Sequence, residues 1–129
     1  MPIEIEKPIV NEAYDFCARF TGTITPADIS SYFLSITDTF DSWDDKRALV
    51  EFLPDVRLTG FNFAAISALS RTTREYQTQL GTSSTALVAP NAAVFGFARM
   101  YMAVRNPPYT IRIFRARKPA ILWLSDLAT

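Results

Sequence analysis

Any chemistry in this chain has to be done without imidazole. There is no histidine among its 129 residues, which removes Ser-His and Cys-His activation of a nucleophile and imidazole metal sites together. The single cysteine, Cys17, cannot join a thiolate zinc cluster or a Cys-x-x-Cys redox pair. Set between Asp15 and Arg19, it reads as a packed, inert thiol. The four glycines, at 22, 60, 81 and 96, form neither a dinucleotide nor a Walker phosphate loop. Asp41, Asp44 and Asp45 lack the spacing and the glycine of a calcium loop and read as a solvated turn. Glu51 and Asp55 have the chemistry for acid/base work, but nothing in the spacing brings them together over a substrate. The expectation is a protein with no catalytic residues, no metal site and no cofactor, and hence not an enzyme.

The elements that would position any binding group are legible from periodicity. Ile3 to Ile5 and Tyr14 to Phe20 alternate apolar and polar residues, as a half-buried antiparallel pair would. After Gly22, Thr25-Pro26-Ala27-Asp28 carries an N-cap, a proline at the first helical position and an acid reaching back to the cap. Ile29, Tyr32, Phe33, Ile36 and Phe40 follow at helical spacing. Ala48 to Leu53 is almost continuously apolar, the pattern of a strand covered on both faces. Asn62 is placed to cap a second helix, with Ile66, Leu69, Thr73, Tyr76 and Leu80 on its inner stripe and Gly81 at its end. Ala86 to Ala89 reads as a buried strand. A third helix runs from Pro90-Asn91 through Val104 and closes at Pro107-Pro108. Tyr109 to Phe114 is a further strand and Pro119 to Leu127 a last helix. From Ala48 the order is strand, helix, strand, helix, strand, helix, which calls for parallel strands joined by crossovers. The fold class is therefore α/β: a mixed sheet of four to five strands, an N-terminal antiparallel hairpin followed by a parallel βαβαβα unit, flanked by about four helices.

A chain of this length fits one domain, residues 1-129, and close to half its residues are apolar, enough for a core without disulfides. Formal net charge is zero, so no global field draws it to nucleic acid or membranes. One cysteine cannot close an intrachain disulfide, which favours a reducing, cytoplasmic setting. The start, Met1 to Lys7, lacks the basic and apolar regions of a signal peptide. Ala86 to Ala98 is short of the ~20 residues that span a bilayer.

Leu87-Val88-Ala89-Pro90, Phe95-Gly96-Phe97-Ala98-Arg99-Met100-Tyr101, Ile111-Arg112-Ile113-Phe114-Arg115 and Ala120-Ile121-Leu122-Trp123-Leu124, in that order and spacing, resemble the C-terminal half of the SpoIIAA-like family. The N-terminal half agrees in layout, with Gly22 before a Thr-capped helix. The resemblance implies a STAS-type sheet flanked by helices, a fold also compared with lipid-binding CRAL-TRIO domains. It implies no particular activity. Anti-sigma-factor antagonists of this fold are switched by phosphorylation of a serine in an Asp-Ser pair where the second helix begins. The corresponding stretch here is Thr59-Gly60-Phe61-Asn62-Phe63, without that pair, so Thr59 reads as an ordinary loop hydroxyl.

What remains is one helix and one charge gradient. Val94, Phe97, Ala98, Tyr101 and Val104 of the third helix can face the sheet, while Phe95 and Met102, seven apart, share another side with Arg99 between them. At the position of Met102 the family often carries glutamate. A helix apolar on two faces is either covered twice, here by the second or the last helix, or binds something. Residues 1-55 hold eleven of the thirteen acids, whereas Arg99, Arg105, Arg112, Arg115, Arg117 and Lys118 run without an acid among them. This basic patch lacks a nucleic-acid module, and no nucleic-acid partner is expected. The crevice beyond the C-terminal ends of the parallel strands collects Thr59, Phe61, Asn91 and Arg115. The expectation is a non-catalytic binding module. An apolar groove beside the third helix, lined by Phe61, Phe95 and Met102, takes an apolar or lipid-like molecule or an anionic membrane surface, with Arg99 or Arg115 at the charged end. The rival is a regulatory interaction domain that forms a homodimer through the same helix.

Overall fold

The computed structural model describes residues 3–6, 13–37, 39–105 and 109–127. Five strands form the main sheet in the order β1 (Ile3–Glu6), β2 (Phe16–Phe20), β4 (Arg47–Phe52), β6 (Ser84–Val88), β7 (Thr110–Phe114). β1 pairs antiparallel with β2, and every later pairing is parallel. The mixed sheet expected from the alternating element order is therefore the one observed. Its helices are α1 (Pro26–Ile36), α2 (Phe63–Thr72), α3 (Arg74–Gln79), α4 (Ala92–Arg105) and α5 (Arg117–Asp126). Pro107 and Pro108, expected to close α4, lie outside the described residues.

Local chemistry accounts for the helix starts. Thr25 and Asp28 form a reciprocal capping box at α1, the Thr25 amide donating to Asp28 Oδ2 at 2.8 Å and the Asp28 amide to Thr25 Oγ1 at 3.4 Å. Asn62 Oδ1 accepts from the Ala65 amide at 2.8 Å at the start of α2. Each cap satisfies a donor that has no partner inside its own helix, worth about 1 kcal/mol.

Three features depart from the sequence reading. The expected second helix is broken at Thr73, between α2 and α3. Thr72 Oγ1 and Thr73 Oγ1 both donate to the Leu69 carbonyl, at 3.1 and 2.7 Å. Two adjacent β-branched residues bonding back to one carbonyl compete with the helical ladder, and Thr73 further bonds the Tyr101 hydroxyl at 2.8 Å. A second, two-stranded parallel sheet, β3 (Thr23–Ile24) with β5 (Arg57–Leu58), stands beyond the ends of β2 and β4. Gly22 enters it at a φ of 72°, where a glycine backbone is at no disadvantage. Finally, β2 is not half-buried: it lies inside the sheet, and Cys17 is as fully covered as Phe16 and Phe20.

The reason is the placement of α5. α1 and α4 cover one face of the sheet, over Phe16, Ala18, Phe20, Ala48, Val50 and Phe52. α5 lies on the other, where Ala120 and Leu124 pack on Cys17, Leu49, Ala86 and Val88. No helix among the described residues is long and apolar enough to cross a membrane.

Candidate functional site

An apolar packing defect lies between α1, α4 and the sheet. It is a cavity of about 70 Å³. Its floor is Val50 and Phe52 of β4, Thr85 and Leu87 of β6 and Ile111 of β7. Ile29, Tyr32, Phe33 and Ile36 of α1 form one wall, and Phe97, Ala98, Tyr101 and Met102 of α4 the other, with Trp43, Leu80, Ser83 and Tyr109 toward one end. These positions follow from period: α1 turns its capped inner stripe to the sheet, and β6 alternates so that Thr85 and Leu87 share a face.

The wall is apolar, and two of its polar atoms are accounted for. Trp43 Nε1 donates to the Ile36 carbonyl at 3.1 Å, and the Tyr101 hydroxyl bonds Thr73 at 2.8 Å. Burial, and secondarily the neighbouring Cys17, push the Tyr32 phenol above its ordinary pKa, so it stays neutral across the physiological range. The Ser83 hydroxyl differs. It is buried and has no hydrogen-bond partner among the described residues. An unmet buried hydroxyl costs about 1–3 kcal/mol, and native interiors hold few of them.

The residues singled out from sequence stand in three places around α4 rather than along one groove. Met102, half-buried, is on the cavity wall, while neither Phe95 nor Phe61 is. Phe61 packs edge-on against Phe97 at 4.7 Å between ring centroids. Phe95 lies between two guanidiniums, Arg115 at 4.9 Å and Arg99 at 5.8 Å from its ring, a stacking of cations on an aromatic face. α5, one of the helices expected to cover Phe95 and Met102, is on the opposite side of the sheet.

In the crevice at the strand ends, Asn91 caps α4, accepting from the Val94 amide at 2.8 Å, and donates from its own amide to the Val56 carbonyl at 3.2 Å. Arg115 reaches the Pro90 carbonyl at 3.4 Å. Thr59 is exposed, and its backbone amide extends the small sheet to Ile24. These groups fix backbone; they do not converge on an empty volume.

The carboxylates are likewise separated. Glu51 pairs with Arg19 at 3.4 Å and with Arg117 at 3.9 Å, while Asp55 accepts from the Thr21 hydroxyl and the Gly22 amide at 2.7 and 3.2 Å. Asp44 and Asp45 are exposed and hold Thr82. No group of three metal-ligating side chains occurs among the described residues. The cavity residues missed from sequence are Tyr32, Trp43 and Ser83 in this role. The alternation Leu87, Thr85, Ser83 carried the signal for the last.

No family model, curated protein or solved structure matches this chain.

Proposed function

We propose that this protein is a non-catalytic binding module that takes the apolar end of a small or lipid-like molecule into the space between α1, α4 and the sheet. The observation that carries this reading is the cavity of about 70 Å³, with a mainly apolar lining that includes Ser83, whose buried hydroxyl has no hydrogen-bond partner among the described residues. Its volume is about twice the ~30 Å³ share of a water in the liquid and half that of an engineered ~150 Å³ cavity that binds benzene. It therefore suits a fragment of a few heavy atoms or the tip of a chain, not a whole lipid. Phe97, Met102 and Ile111 are only half-buried, which favours this side of the wall as the way in.

Kinship with the SpoIIAA-like family belongs to the same proposal, supported by the mixed sheet and the strand-helix order after Arg47. So does a reducing, cytoplasmic setting, supported by a lone cysteine buried under α5.

The test is native mass spectrometry of protein taken directly from its expression host, beside the denatured mass and beside Ala98→Leu, which fills the cavity. An extra mass lost on denaturation and absent from Ala98→Leu is the expected result. Protein that carries no extra mass, and whose cavity methyl resonances do not move under xenon, would sink the reading. Co-sedimentation with anionic vesicles that is identical for wild type and Phe95→Asp would remove a membrane role for the Phe95 cluster.

A further inference from the structure

The two edges of the main sheet carry opposite charge on matching patterns. β1, at one edge, reads Ile3-Glu4-Ile5-Glu6; β7, at the other, reads Thr110-Ile111-Arg112-Ile113-Phe114. Among the described residues no strand pairs with the outer side of either. Glu4 and Arg112 are exposed, and Ile5 keeps 41% of its surface in solvent. An edge of this kind, short of backbone partners and bearing exposed isoleucine, is a template for another strand.

We infer that a second copy of this chain docks here, its β1 adding antiparallel to β7 and continuing the sheet from one molecule to the next. The register follows from which residues share a face. Ile3 and Ile5 stand beside Phe20 and Ala18, on the side of α1 and α4, and Glu4 stands beside Arg19 on the side of α5. Ile111 and Ile113 stand beside Thr85 and Leu87 on the α1 and α4 side, and Arg112 beside Ala86 on the α5 side. An antiparallel pairing that keeps both faces aligned sets Glu4 opposite Arg112, Ile3 opposite Ile113 and Ile5 opposite Ile111. Three of the four cross-strand pairs are then apolar with apolar or acid with base, and Glu6 falls opposite Thr110.

The like-with-like alternatives are worse. Two β1 strands paired about their centre with faces aligned place Glu4 against Glu4, and two β7 strands place Arg112 against Arg112. Like charges directly opposite destabilise a pair, so these centred registers are disfavoured against the mixed one. A contact between two different surfaces of identical molecules is heterologous and propagates as a ring or an open chain. With strands this short the association is weak and depends on concentration and salt.

The experiment is sedimentation velocity on the full chain over a range of protein and salt concentrations. It compares wild type with Glu4→Lys, Arg112→Glu, the double charge swap of both, and Met100→Glu on the outward face of α4. Circular dichroism confirms folding of each. Expected are wild-type species larger than a monomer that recede as salt rises, and an apparent dissociation constant raised about tenfold by each single edge substitution. Association should return in the double swap and be unchanged in Met100→Glu. A wild type that stays monomeric up to its solubility limit overturns the inference. So does association that survives both single edge substitutions, or that only Met100→Glu abolishes, which would assign the contact to α4.

Discussion

The two faces of the sheet solve the same burial problem differently. Under α5 the centre of the contact is made by small and branched side chains, Cys17, Leu49, Ala86, Ala120 and Leu124 each fully buried, with Tyr14, Phe114 and Trp123 beside them. The rim is tied by Glu51 between Arg19 and Arg117. On the α1 and α4 side the packing is aromatic: Phe16, Phe20, Tyr32, Phe33 and Trp43 meet in tilted and edge-on pairs. Large rigid rings leave gaps where small side chains do not, and the gap here is the cavity. One face is a close-packed clamp, and the other has kept volume and an unmet hydroxyl at some expense of stability. That asymmetry is why the candidate site is placed on the aromatic side.

The largest effect is expected from Leu124→Ala. Leu124 is fully buried at the centre of the α5 contact, and truncation of such a leucine costs about 3 kcal/mol. Urea unfolding should show a loss of that size, with ligand retention by the remaining folded protein unchanged. A loss below about 1 kcal/mol would mean that α5 is not the clamp. A smaller effect is expected at the hinge beside the cavity. Thr73→Val removes the hydroxyl that bonds both Leu69 and Tyr101, for a cost of about 1–2 kcal/mol. Because the bond links α2 to α4, the variant should also broaden the amide resonances of both helices.

Much of this layout was legible in the chain, and the part that was not has a physical reason. Caps act over three residues, so Thr25 with Asp28 and Asn62 announce their helices locally. The alternating element order predicts parallel strands because a crossover needs length. By contrast, the break at Thr73 depends on Tyr101, twenty-eight residues away, although adjacent Thr72 and Thr73 hinted at it. The two-residue pairing of β3 with β5 is too short to leave a period. For the site, helical spacing shows that α4 is apolar on more than one side, but which neighbour meets each side is tertiary. Arg115, from the loop after β7, is what separates Phe95 from Met102 in kind, placing one under cations and leaving the other on the cavity wall. A void is a shortfall of volume summed over six elements and the segments between them, and no local pattern encodes it.

Ser83→Ala acts on the aromatic side in the opposite direction. A buried hydroxyl without a partner contributes its desolvation cost and returns nothing. Its removal should therefore be neutral or stabilising by up to about 1 kcal/mol, read as a rise in thermal midpoint. A carried molecule that uses this hydroxyl should be held less well by the same variant. A clear loss of stability in ligand-free protein would show that the hydroxyl has a partner.

The smallest effect at neutral pH, and the most specific, concerns Tyr32. Burial and the neighbouring Cys17 raise its pKa in the folded protein above the ordinary 10.0. The folded state thus keeps a proton that the unfolded chain releases. The sign follows from linkage: stability from this group is fully present below pH 10.0 and is lost as pH rises further, by up to about 1.4 kcal/mol per pH unit, because the unfolded phenolate is then favoured. Tyr32→Phe keeps the ring that packs on Phe16, Phe20 and Phe33 and removes the titration. Urea midpoints of wild type and variant should run together up to about pH 9.5 and separate above it, the wild type falling faster. Parallel curves through about pH 11 would mean that the phenol ionises as readily in the folded protein as in the unfolded chain, and that the aromatic side of the sheet is wetter than its packing implies.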